Sequence, residues 1–208
     1  MTQTNLRGVQ IFLLALGVLT LEVALTRIFS FVMFHHLTYL VVSVALLGFG
    51  AAGTWLTTKA DVTPDDAPAF LAKKAAWFGI TAIAAVAFIP RIHMYAEDMY
   101  LHRDFSNLVS LFAMIGLAGL PFFFAGVCIG FLISRAGEDV NRIYFADLIG
   151  AAAGSVLAVV FITHLGATAT CILVGATGFL VAAIAGGGRR IRYTVLFVLW
   201  AAVSVWQS

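Results

Sequence analysis

Two acidic residues, Glu22 and Asp147, lie inside long apolar stretches of the sequence. A charged side chain at the centre of a membrane helix costs about 3 kcal/mol or more unless it is paired or hydrated. The Glu22 carboxylate therefore predicts either a structural hydrogen bond or a group that accepts a cation or a proton. Arg27 follows Glu22 at a spacing of about 140° around a helix, so direct pairing is disfavoured. We expect Glu22 to face another helix or a wet cavity, and Arg27 to extend to the interface.

Asp147 stands close behind Arg142 and Tyr144 at the start of a later apolar stretch. The helix dipole favours an acid in a first turn, which is a sufficient structural reason for Asp147. Arg142 is suited to a lipid headgroup or a neighbouring loop. These three residues are predicted to mark the cytoplasmic rim. Because Glu22 falls in the opposite leaflet, we expect no direct contact between the two acids, and a single site containing both would require a deep cavity.

The histidines fall on one predicted side of the membrane, the side opposite to most basic residues. His35 and His36 occupy the first outer turn. The outer loop at 91–107 carries two pairs at i,i+4 spacing, His93 with Glu97 and Asp98 with His102. On a helix each pair would share one face and could ligate a metal. A pH-sensitive role and a plain interfacial role are the alternatives, and no cofactor is expected.

Two glycine patterns predict close helix packing. Gly48, Gly50 and Gly53 match G-x-G-x-x-G, but no strand precedes them and no acid follows at the dinucleotide-binding distance. Small residues let membrane helices approach closely, which is the preferred interpretation. Gly150 and Gly154 form a GxxxG pair with the same meaning.

The composition requires a membrane environment around these residues. The 208 residues are 62% hydrophobic and 11% charged, with a mean hydropathy of +1.03, whereas soluble domains carry about 25% charged residues. The net charge of +2 is too small to indicate a nucleic-acid partner. We predict an all-α fold, a single transmembrane domain over 1–208 that forms a polytopic bundle of about seven helices in the lipid bilayer. The predicted helices are 9–31, 37–57, 75–89, 108–134, 143–163, 167–185 and 193–206, the last being short for a full crossing.

The distribution of Lys and Arg predicts the orientation. The basic residues divide nine to three between the two predicted sides, and the larger group includes Arg7, Arg135 and Arg142. The smaller group is Arg27, Arg91 and Arg103. The positive-inside rule then places the N-terminus in the cytoplasm.

Two strings in the sequence resemble a known family. They are E-x-x-L-T-R-I-F at 22–29, followed by His35-His36 and the glycine run at 44–53, and Y-x-A-D-L-x-G at 144–150, preceded by L-P-F-F-F-A-G at 120–126. Both resemble the membrane region of bacterial proteins in which a multi-helix bundle is joined to a spermidine synthase-like domain. The resemblance implies a bacterial inner-membrane relative of polyamine aminopropyltransferases. The catalytic domain of that family has strands and a glycine-rich loop that this chain cannot supply, so no catalytic residue is carried over and we do not expect an enzyme in this chain alone.

Three functions remain open at this stage. The first is a membrane module that anchors or serves another protein chain, such as a spermidine synthase-like one, with a site formed by Glu22, Arg27 and His35 or His36. The second is transport of a small cation, such as a polyamine, or of protons, with Glu22 as the acceptor. The third is a structural subunit of a larger membrane complex.

Overall fold

The computed structural model describes residues 3–32, 38–58, 62–92 and 105–186. Every regular element in these ranges is helical, which confirms the all-α class. Two short 3₁₀ turns, Ile89–Arg91 and Gly137–Asp139, flank the longer helices. Those helices are α1 Gln3–Val32, α2 Thr38–Thr57, α3 Ala67–Phe88, α4 Phe105–Ser134 and α5 Val140–Ala185.

The helix count differs from the sequence expectation. The described residues contain five helices long and apolar enough to cross a membrane, rather than about seven. The predicted segments 143–163 and 167–185 are the two arms of one element, α5, which non-helical backbone geometry at Gly166 divides. The predicted segment 193–206 lies outside the described residues. The third predicted helix also begins earlier, at Ala67 instead of 75, and includes Lys73 and Lys74. A lysine can lie inside the end of a membrane helix, because its apolar stem extends along the helix and carries the charge to the polar region.

The chain reverses direction inside α5, at Gly166. Gly154 lies against Leu16 of α1, and Thr177 lies against Gly17 one residue farther along α1. A straight helix would separate Gly154 from Thr177 by about 34 Å. Gly166 has φ +84° and ψ 163°, a conformation that is accessible essentially only to glycine. The two arms of α5 therefore run antiparallel.

The reversal defines the two ends of the bundle. Thr4 donates a hydrogen bond to Asp139 over 2.7 Å, so the beginning of α5 lies beside the beginning of α1. Ala185, at the other end of α5, lines a cavity together with Arg7. We call this the basal end, and the end that carries Gly166 the apical end. Arg135 also lies at the basal end, where its carbonyl oxygen accepts a hydrogen bond from Arg7.

Helix α1 lies at the centre and packs along both arms of α5. A Cβ on Gly150 or Gly154 would come within 3.0 Å or 2.9 Å of the Cα atoms of Phe12 and Leu16, so the first arm touches α1 backbone to backbone. The second arm packs equally closely on α3, where a Cβ on Gly178 would lie 2.7 Å from the Gly79 nitrogen. Such approaches between membrane helices need small residues.

Candidate functional site

A groove of about 180 Å³ runs along α1 and contains both acids that the sequence singled out. Glu22 on α1 and Asp147 on α5 both line it, and both are half-buried. The remaining walls are apolar: Ala15, Val18, Leu19, Val42, Ala45, Leu46, Phe49, Ile129 and Ala151. We call it the α2–α5 groove, because α2 and α5 form its sides over α1.

The two carboxylates stand at different levels of the groove. Gly150 is level with Phe12, so Asp147 lies below that level and Glu22 above it. At 1.5 Å per residue, the rise between the two backbone positions is roughly 20 Å. Side chains on a helix lean towards its N-terminus, and α1 and the first arm of α5 run parallel, so both carboxylates lean towards the basal end and their separation stays close to this rise. One groove therefore contains both acids, although the sequence places them in opposite leaflets.

No basic residue among those that the structure describes lines the groove. Thr26 donates a hydrogen bond of 2.7 Å to the backbone carbonyl of Glu22, which leaves the carboxylate uninvolved. Arg27 is exposed and lies over the ring of Phe31 at 4.7 Å. Within the described ranges, neither Glu22 nor Asp147 makes an ion pair. The groove therefore carries two acidic groups without a basic group from its own walls.

The groove is open on one side. Leu46 is 69% exposed and Val42 is 42% exposed, although both line the groove. This opening faces away from the centre of the bundle, towards the surface that lipid or another chain would cover.

The other predicted site residues are distributed as follows. Arg142 and Tyr144 are exposed at the basal end, and Arg142 lines a separate cavity with Asn5. His35 and His36 lie outside the described residues. So does the predicted metal set His93, Glu97, Asp98 and His102, and the described ranges hold no group of three potential metal ligands.

The predicted packing glycines separate into two groups. Gly48 packs against α4, where a Cβ would lie 2.9 Å from the carbonyl oxygen of Gly119. Gly50 and Gly53 have no described atom within 4 Å of a Cβ position, so the close approach involves Gly48 alone among these three. The motif spacing could not tell which of its glycines faces the neighbouring helix.

An aromatic cage around Lys74 was not predicted. The Lys74 ammonium lies 4.3 Å from the ring centroid of Trp55, and at 5.5 Å and 5.8 Å from those of Phe124 and Phe70. Trp77 stacks on Phe124 with a distance of 5.8 Å between the ring centroids, so it extends the aromatic cluster. A cation at these distances is attracted to the ring faces. The signal in the sequence was the i, i+4, i+7 spacing of Phe70, Lys74 and Trp77, which places all three on one helix face.

Comparison with models of protein families, with curated proteins and with solved structures found no match.

Proposed function

We propose that this chain is an integral membrane module whose α2–α5 groove binds an elongated organic cation. Glu22 and Asp147 are the two anionic contacts. The observation that carries the proposal is that, in the described part of the chain, two carboxylates and no basic side chain line a single apolar groove. An unpaired charge in such a setting is costly and calls for a partner of opposite sign.

The spacing of the acids favours a polyamine over a metal ion. Mg²⁺ and Ca²⁺ require several oxygen ligands within about 2.6 Å of one centre, which acids on levels roughly 20 Å apart do not provide. A linear polyamine has separated ammonium groups joined by methylene chains. Its ammonium groups are complementary in charge to the carboxylates, its chain is complementary to the apolar walls, and Phe49 offers a ring face to a cation. The resemblance to spermidine synthase-like proteins suggests the same class of ligand.

The orientation of the module follows from its charges. Arg7, Arg135 and Arg142 stand at the basal end, and the positive-inside rule assigns that end to the cytoplasm of a bacterial inner membrane. Glu22 then lies nearer the outer leaflet and Asp147 nearer the cytoplasm. A cation that exchanges between the two acids would move along the groove, which is the basis for proposing transport.

Equilibrium dialysis of labelled spermidine against the detergent-purified chain tests this function. Loss of one charged contact should weaken binding at least tenfold, so we expect that effect from Glu22→Gln and from Asp147→Asn. Glu138→Gln is the matched control, because Glu138 is an exposed acid outside the groove. Equal spermidine affinity in all four proteins would refute the proposal.

A second candidate is a partner helix seated in the groove through a basic residue. The observation that favours it is the open side of the groove at Leu46 and Val42. This candidate corresponds to a module that serves another chain, such as a spermidine synthase-like one. It predicts that Glu22→Gln and Asp147→Asn reduce the mass of the complex purified in mild detergent, whereas spermidine affinity stays unchanged.

A further inference from the structure

A second cavity, of about 280 Å³, lies at the basal end between α1, α3, α4 and the end of α5. Arg7 and Arg135 both line it. Its apolar lining includes Leu71, Phe131 and Ile184. The volume is close to the lower bound of about 300 Å³ for small-molecule sites. We call it the basal cavity.

The two arginines bring unbalanced positive charge to the basal cavity. Arg7 donates one hydrogen bond of 2.8 Å to the carbonyl oxygen of Arg135, and Arg135 donates one to the carbonyl oxygen of Val62. A guanidinium has five N–H donors, so most remain available. No acid lines the cavity, and no carboxylate pairs with either guanidinium in the part of the chain that the structure describes. The nearby Asp66 is exposed and accepts a hydrogen bond from Thr63.

A largely buried amide points to a ligand in the same place. Gln10 lines the basal cavity and is only 4% exposed. Its amide has no hydrogen-bond partner among the described residues. Among those residues the fully enclosed side-chain atom without a partner is Asn5 Oδ1, so the Gln10 amide reaches the open space of the cavity, where it can donate to a ligand. The first residues of α3, Ala67 and Pro68, also line the cavity, so the positive end of that helix dipole adds to the arginine charge.

We propose that the basal cavity binds the phosphate group of an anionic lipid. Arg7 and Arg135 contact the phosphate oxygens, and Gln10 donates to the same headgroup. Arginine forks match phosphate geometry and hold it with charge-assisted hydrogen bonds. Leu71, Phe131 and Ile184 provide apolar contacts for the glycerol and the start of the acyl chains. This site is separate from the α2–α5 groove and does not depend on a cation binding there.

Thermal unfolding of the detergent-purified full chain tests the site. Titration with phosphatidylglycerol should raise the Tm of the wild-type chain, and phosphatidylcholine should not. The double variant Arg7→Gln/Arg135→Gln should weaken the phosphatidylglycerol affinity at least tenfold. Lys73→Gln is the matched control, because this exposed basic residue of α3 does not line the basal cavity, and it should retain the wild-type affinity.

Gln10→Leu keeps the test decisive if the double arginine variant fails to fold. Gln10 makes no hydrogen bond with the described residues, so this variant should fold, and its phosphatidylglycerol affinity should fall several-fold. The proposal is overturned if phosphatidylglycerol leaves the Tm unchanged, or if Lys73→Gln loses as much affinity as the double variant. Sodium phosphate alone producing the same Tm rise, with the same variant dependence, would overturn the lipid as the source of the phosphate.

Discussion

Replacing Gly150 and Gly154 together by alanine should separate α1 from the first arm of α5. The two Cβ atoms would come within 3.0 Å and 2.9 Å of the Cα atoms of Phe12 and Leu16, where ordinary contact begins at 3.4 Å. The obstacle is backbone, which cannot rotate aside. The helices must therefore move apart by about half an ångström or more.

The expected cost follows from three contributions. Overpacking of this kind costs about 1–3 kcal/mol at each position. The displacement also lengthens the 3.1 Å hydrogen bond from Thr20 to the Gly154 carbonyl oxygen, a bond worth about 1 kcal/mol. Alanine has a higher helix propensity than glycine, which offsets up to about 1 kcal/mol of this loss of unfolding free energy at each position. Since one displacement relieves both clashes, the double variant should lose about 2–4 kcal/mol of unfolding free energy, less than the sum of two independent sites.

Thermal unfolding in detergent measures this loss. For a chain of this size, the double variant should unfold roughly 5–15 °C below the wild type. Gly50→Ala/Gly53→Ala is the matched control, because no described atom lies within 4 Å of either added methyl group. Its Tm should be unchanged or slightly raised. Equal Tm values for the two double variants would refute the packing of α1 against α5 described here.

Three further variants test other parts of the structure by the same assay. Gly166→Ala should lower the unfolding free energy by about 1–3 kcal/mol, because alanine is strained at φ +84° although the position has open space; an unchanged Tm would refute the reversal there. Lys74→Met should lower it by about 1–2 kcal/mol through loss of the aromatic cage, whereas the exposed neighbour Lys73→Met should be neutral. Gln10→Leu without added lipid should raise the unfolding free energy by up to about 1 kcal/mol, because a largely buried amide with no hydrogen-bond partner among the described residues is replaced by an apolar side chain, and a decrease would contradict that assignment.

The helical class was predictable because composition decides it. A chain with 11% charged residues can satisfy its backbone in lipid only through helices or a closed barrel, and no strand pattern is present. The number of helices was harder to predict from the sequence. The predicted segments 143–163 and 167–185 do pack as separate antiparallel arms, but a single glycine, Gly166, joins them without a longer loop, so they form one element, α5. The hydropathy pattern also predicted too short a third helix, because Lys73 and Lys74 lie within α3 and not in the loop before it.

The sequence identified the individual residues of the candidate site, but it did not predict that they line one groove. Glu22 and Asp147 stand out as acids in apolar stretches, which local sequence shows directly. Their common groove forms because the first arm of α5 lies parallel to α1, with Gly150 against Phe12. This packing is a tertiary property that the local sequence does not show. The basal cavity was missed for the same reason: Arg7 and Arg135 were counted for orientation, and only packing brings them together with Gln10.

Affinity for a series of linear diamines of increasing length tests the central proposal most directly. If Glu22 and Asp147 hold the two ends of one ligand, binding to the purified chain should strengthen with the number of methylene groups until both ammonium groups reach their carboxylates. In Glu22→Gln and in Asp147→Asn, this dependence on length should disappear, and every diamine should bind as weakly as a monoamine of the same length. Affinities that are independent of length in the wild-type chain, or a length dependence that survives in either variant, would contradict a two-carboxylate cation site.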